Sequence, residues 1–249
     1  MHLVKYRFLL GGYDLEMVTI LHIIMEHGLK YYDKKLKWGA KLSEYKSVFN
    51  DDEHFVGIEL KEDIPLPLKY IPIDHHNENR NRLSSIEQIA EMLNLELDRH
   101  QKLVAANDRG YIPAMEAMGA TKEEIQKIRK DDKKAQGITK QDELLAEKSI
   151  RNHLTIEGDV TIVKSLTSHF STITDRLFPY NKLLIYTDDE LTYYGEGVVR
   201  LSREFRDLII QGKAFTGGGD NGFLGISFKS FPTINLTYIK DKVISIIKH

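Results

Sequence analysis

Lys69-Tyr-Ile-Pro-Ile-Asp-His-His76 decides the reading of this chain. Leu68 to Ile73 is short and apolar, and it reads as a strand. Where it stops, Asp74, His75 and His76 stand side by side, and the polar run Asn77 to Arg82 follows. Imidazole binds borderline metals, and a neighbouring carboxylate can orient the ring through its other nitrogen. An open α/β sheet builds its sites at the carboxyl ends of its strands.

The neighbouring segments fit such a sheet. Val4 to Leu10 reads as a strand, broken by Gly11-Gly12. Leu15 to His27 then has helical spacing, with Met17, Ile20, Leu21 and Ile24 on one face. Between them lie Asp14 and Glu16. Asp14 can cap the helix and Glu16 can favour its positive end, or both can face a cation. Phe55 to Leu60 is a second strand, carrying Glu59 near its end. Ser84 and Glu87 form a capping box ahead of Ile86, Ile89, Met92 and Leu93. Leu97 to Ala106 is a further helix, ending before Asn107-Asp108-Arg109-Gly110. Strands alternating with helices predict a mostly parallel sheet. Asp14, Glu16, Glu59 and Asp108, added to residues 74–76, suggest a two-metal hydrolytic centre.

A chain of 249 residues suffices for one large domain or two modest ones. The net charge of −2 points to neither long nucleic acid nor an acidic membrane. With no cysteine, disulfides and thiolate chemistry are excluded, and a metal must be held by oxygen and imidazole. Mn, Mg, Fe and Zn suit that set. No apolar run reaches 18 residues and Met1 to Phe8 has no secretory pattern, so a cytoplasmic protein is expected. Thr121 and Glu124 open a polar helix, and Lys130-Asp-Asp-Lys-Lys reads as its solvated face. The pattern restarts from Thr155. Strands are expected at Val160 to Lys164, Lys182 to Thr187 and Leu191 to Glu196, with helices at Ser168 to Phe178 and Leu201 to Ile210. The predicted fold is α/β. A mostly parallel-sheet N-terminal domain spans 1–135, a helical connector 136–155 and a small α+β domain 156–249, with the site in the cleft between the domains.

These pieces, in this order, resemble the DHH phosphoesterase superfamily, whose name is the sequence at 74–76. Members hold two divalent metals, usually manganese, on four dispersed motifs and hydrolyse phosphate esters. Asp14 and Glu16 occupy the first motif, with Leu10 where a His is typical and Glu16 for an Asp. Glu59 occupies the second, residues 74–76 match the third unchanged, and Asp108 matches the fourth. The resemblance implies Asp14, Glu16, Glu59, His75 and Asp108 as ligands of one or two Mn2+ (or Mg2+) ions. It makes Asp74 and His76 orienting groups or substrate contacts. Many members end in a smaller substrate domain, of the type called DHHA1, with a Gly-Gly-Gly-His motif. Here Arg200 precedes Gly217-Gly218-Gly219-Asp220, so Asp220 replaces the His. Arg200 and the glycines would hold a substrate phosphate. Implied substrates are short oligonucleotides, cyclic dinucleotides or nucleotide phosphates, with a homodimer left open. The alternative is a module of the same fold that binds or senses nucleotides without turnover, which the absent first-motif His favours.

Overall fold

The computed structural model describes residues 5–37, 39–76, 79, 81–218, 222–228 and 235–248, and it divides into two compact units, 1–136 and 137–249. Gly219 and Asp220 lie outside the described residues.

The first unit is built on four parallel strands: β1 (Tyr6–Leu9), β2 (Lys30–Tyr32), β3 (His54–Ile58) and β4 (Tyr70–Ile73), in the order β2-β1-β3-β4. The chain leaves β1 first to one side and then to the other, so the order reverses beside it. That is where an α/β sheet opens a crevice at its carboxyl edge. Gly11 sits in this crevice because nothing larger fits. A Cβ there would lie 2.4 Å from the Ile58 carbonyl oxygen and 2.8 Å from that of Glu59.

Helix α1 (Leu15–Glu26) follows β1 with Asp14 as its N-cap, and buries Met17, Ile20, Ile23 and Ile24 against the sheet. Helix α2 (Ser85–Leu93) starts at the Ser84–Glu87 capping box. Helix α3 (Arg99–Ala117) does not end before Asn107, as the sequence suggested. Asn107 to Arg109 continue it, and the break comes at Gly110 (φ −160°, ψ 20°) and Tyr111 (φ 58°, ψ −147°). Pro113 fits an interruption here, because it lacks the N–H that would bond the Arg109 carbonyl and its ring would clash with that carbonyl in a continuous helix. Helix α4 (Lys122–Ala135) starts at the expected Thr121–Glu124 box. Its charged stretch is not wholly solvated, however: Arg129 and Asp132 are buried beside Ile128. Strand β2 and a 3-10 helix at Leu42–Val48 lack the strong periodicity that would announce them.

The second unit is a six-stranded mixed sheet. Helix α5 (Lys140–His153) packs on it, followed by β5 (Leu154–Glu157), β6 (Val160–Lys164), α6 (Ser171–Leu177), β7 (Lys182–Tyr186) and β8 (Glu190–Gly195). Then come α7 (Val198–Glu204), α8 (Arg206–Ile210), β9 (Ala214–Gly217), β10 (Phe223–Ser227) and α9 (Leu236–Ile247). The strand order is β5-β6-β7-β8-β10-β9. Alternation along β7 shows why both faces are covered. Leu184 joins the core under α7 and α9, while Leu183 and Ile185 join the core under α5 and α6. The helix read over 201–210 is two short helices hinged at the buried Phe205. No helix among the described residues is long and apolar enough to cross a membrane.

Replacing Gly11 by Ala should lower stability by about 1–3 kcal/mol, the usual cost of forcing atoms into a filled space. A denaturant titration reads it as a lower midpoint at unchanged slope. Gly28, where nothing lies within 4 Å of an added Cβ but φ is 61°, would register the cost of a left-handed backbone alone, without a clash.

Candidate metal centre

The carboxyl edge of the first sheet gathers side chains from five segments. β1 leads through Gly11 and Gly12 to Asp14 and Glu16. β3 ends at Ile58, and Glu59 follows with φ of 52°, a left-handed conformation rare for a residue with a Cβ. β4 leads into Asp74, His75 and His76. The N-terminus of α2 supplies Ser85 and the Ile86 N–H, and the last turn before the α3 break supplies Asp108.

His75 is the centre of the group. Its Nε2 lies 2.6 Å from Asp108 Oδ2, 3.5 Å from Glu16 Oε2 and 3.7 Å from Glu59 Oε1. The 2.6 Å contact lacks the alignment of a hydrogen bond. His75 Nε2, Asp108 Oδ2 and Glu16 Oε2 are all buried without a hydrogen-bond partner. Buried polar atoms are seldom left so. One ligand atom each from Glu59, His75, His76 and Asp108 lies within 4.8 Å of the others.

The remaining bonds hold these groups in place. Glu16 Oε1 accepts from the Ile86 N–H (3.0 Å) and Glu59 Oε1 from the Ser85 hydroxyl (2.8 Å). Asp74 Oδ1 lies 3.1 Å from His76 Nδ1 and accepts from the His76 N–H at 3.0 Å, while Asn79 donates to Oδ2. Asp74 therefore orients the His76 ring, which lies against His75 with centroids 4.4 Å apart. Asp14 Oδ1 accepts from the Met17 N–H (2.8 Å), so it caps α1 while lying within the field of Glu59 and Asp108.

The electrostatics are those of crowded anions. Burial, then the charges of Glu59 and Asp108, holds the Asp14 carboxyl well above its usual range. Burial and Asp108 push Glu16 up to about 8, against the pull of His75. Burial disfavours the charged form of His75, yet Asp108 and Glu16 lift it to about 11. Burial also opposes the charge on His76, and Asp74 raises it to about 9. Asp108 resists burial through His75 and His76 and is held below its usual value.

Sequence reasoning did not pick out Ser85, Arg129 or Asp132, and it did not count His76 among the metal ligands. Arg129 and Asp132 fall four and seven residues after Ile125, on the stripe shared with Ile128. That spacing is the available signal for a buried pair. Leu10, where the resemblance has a His, is fully buried in the core.

In the second unit, Arg200 is exposed on α7 near Gly197. Gly217 ends β9, and Gly218 has φ of 73°. Among the described residues no hydrogen bond joins Arg200 to Gly217 or Gly218.

No family model matches the chain, and no curated protein does. Solved structures are similar to it. A pGpG-specific phosphodiesterase, PggH from Vibrio cholerae, is 12% identical over 98% of both chains, with a TM-score of 0.46. A DHH domain from a member of the s1p family of ribosomal proteins is 10% identical, covering 93% of this chain and 74% of that one (TM-score 0.43). RecJ from Thermus thermophilus, in complex with Mn2+, is 12% identical over 92% of this chain and 50% of its own (TM-score 0.43).

A raised folded-state pKa means that the folded protein holds its proton longer than the unfolded chain. Glu16, His75 and His76 therefore stabilise the fold below their ordinary values, and that stability is lost as pH rises through about 8, 11 and 9. In chelator the protein should lose stability steadily from about pH 5 to 11. Glu16→Gln should flatten the part of this slope that ends at about pH 8, measured by urea midpoints across pH.

Proposed function

We propose that the first unit is the divalent-metal centre of a phosphoesterase. The observation that carries this is the convergence of three buried atoms without a hydrogen-bond partner, Glu16 Oε2, His75 Nε2 and Asp108 Oδ2, beside Glu59 and His76. Carboxylates and imidazoles without thiolate make a donor set that fits Mn2+ or Mg2+, with Fe and Zn also suited. Asp14, Glu16, Glu59, His75 and Asp108 would hold one or two ions, with His76 near enough to join them. When bound, the metal supplies Lewis-acid polarisation of a phosphoryl oxygen and an activated water.

The chain's own residues do the rest. The Ile86 N–H fixes Glu16 Oε1 and leaves Oε2 for the site, and the Ser85 hydroxyl holds Glu59 by Oε1, the oxygen that also faces His75. Asp74 sets the orientation of His76. The apolar wall around Leu10, Ile58 and Ile73 excludes water behind the carboxylates and strengthens their field. In the second unit, Arg200 with Gly217 to Gly219 and Asp220 is the proposed phosphate subsite. The substrates proposed are short oligonucleotides, cyclic dinucleotides or nucleotide phosphate esters. Leu10 in the core favours a second reading, in which fewer ligands hold a single ion and the protein binds nucleotide without turnover.

His75→Ala should remove at least one equivalent of bound Mn2+ in titration calorimetry, and Asp108→Ala should abolish hydrolysis of a dinucleotide. Unchanged metal stoichiometry in His75→Ala rejects the centre. Nucleotide binding without turnover of any phosphoester by the native protein selects the second reading.

Arg200→Ala should raise KM severalfold with kcat and bound metal unchanged, because a contact made equally in the ground and transition states affects only binding. Steady-state kinetics with metal analysis checks this, and an unchanged KM removes Arg200 from the subsite.

A further inference from the structure

Behind the metal centre lies an ion pair that the chemistry above does not use. Arg129 and Asp132, one turn apart on α4, are 8% and 5% exposed. Arg129 Nη1 donates to Asp132 Oδ2 at 2.7 Å and to Asn107 Oδ1 at 3.0 Å. Its guanidinium carbon lies 4.6 Å from the centroid of the Tyr111 ring. Asp132 turns its other oxygen, Oδ1, to the Leu15 N–H at 3.3 Å, and Gln136 donates to Oδ2.

The partners mark two places that must be held together. Asn107 immediately precedes Asp108, and Tyr111, three residues after it, carries the left-handed backbone of the α3 break. Leu15 stands between Asp14 and Glu16. One side chain grips α3 on both sides of its metal-facing carboxylate, and its ion partner grips the N-terminus of α1 between the other two. A buried pair of this kind is weak evidence for stability, since apolar replacements often do as well. A planar fork that serves an ion pair, an amide and an aromatic face at once is a geometric device, and lysine cannot reproduce it.

We propose that Arg129 and Asp132 are positioning residues of the metal centre, fixing the start of α1 against the α3 break so that Asp14, Glu16 and Asp108 face one cation. This rests on the metal-centre reading above.

The test uses the full chain, Mn2+ alone as probe, and two readouts: affinity by calorimetry and the electron paramagnetic resonance spectrum of the bound ion. Arg129→Met combined with Asp132→Asn removes both charges of the pair together and keeps an acceptor for the Leu15 N–H, so this variant should stay folded. It should nevertheless bind Mn2+ about 10–100-fold more weakly, the usual effect of losing the groups that orient ligands. The resonance lines of the bound ion should broaden or shift. Arg129→Lys should recover part of the affinity but not the native spectrum. Tyr111→Leu, which removes the stacked ring, should show a smaller change in the same direction and serves if the double variant unfolds. Native affinity and spectrum in the folded double variant, or in Tyr111→Leu where that variant stands in, overturn the proposal. A wild-type protein that binds no Mn2+ overturns the metal-centre reading and the proposal with it. A wild type that binds Mn2+ beside variants that bind it equally well overturns the proposal alone.

Discussion

Four carboxylates drawn to one end of a parallel sheet repel one another, and the architecture of the first unit answers that repulsion. Asp14, Glu16, Glu59 and Asp108 come from separate segments and face two imidazoles. In water such a cluster would disperse. Here each acid is fixed from behind: Asp14 by the Met17 N–H, Glu16 by the Ile86 N–H, Glu59 by the Ser85 hydroxyl and Asp108 by its place on α3. Two of these donors sit at the N-terminus of α2, where the helix dipole favours negative charge. The apolar sheet behind supplies rigidity, and the short turns after β1, β3 and β4 supply proximity.

That arrangement stores unfavourable electrostatics in the metal-free chain. Protons on Glu16 and the imidazoles relieve it in part, and a divalent cation would displace them. The same crowding explains why close packing matters so much at Gly11. The strands must pass within contact distance of each other's carbonyl groups before their carboxylates can converge.

Much of this is legible in the sequence, and for physical reasons. The Ser84–Glu87 and Thr121–Glu124 boxes predict helix starts because cap chemistry is local. The helix after Asp14 is written in the spacing of its apolar residues, and Asp74-His75-His76 is contiguous. The strand at 30–32 and the helix at 236–247 escape such a reading. The first is a short, exposed edge strand with little apolar signal. The second follows a stretch in which no helix start stands out, although Asn235 caps it. The end of α3 reads too early because Asn-Asp-Arg-Gly looks like a turn, whereas tertiary contacts keep it helical as far as Arg109. Asp132 reads as a solvated charge within Lys130-Asp-Asp-Lys-Lys, and Arg129 draws no attention, because composition outweighs their place on the Ile125–Ile128 stripe. For the metal centre, the ligand types are readable, but their mutual distances depend on strand order, which no local pattern encodes.

Glu59 has a consequence of its own. Its backbone lies in a region that glycine or asparagine would occupy with less strain, and the side chain is held there beside three other acids. Selection for folding alone would therefore drive this position toward glycine, and selection for a charged pocket would drive it back. The residue found at 59 across variants raised under each pressure would thus record whether the protein is being kept for its shape or for what that shape holds.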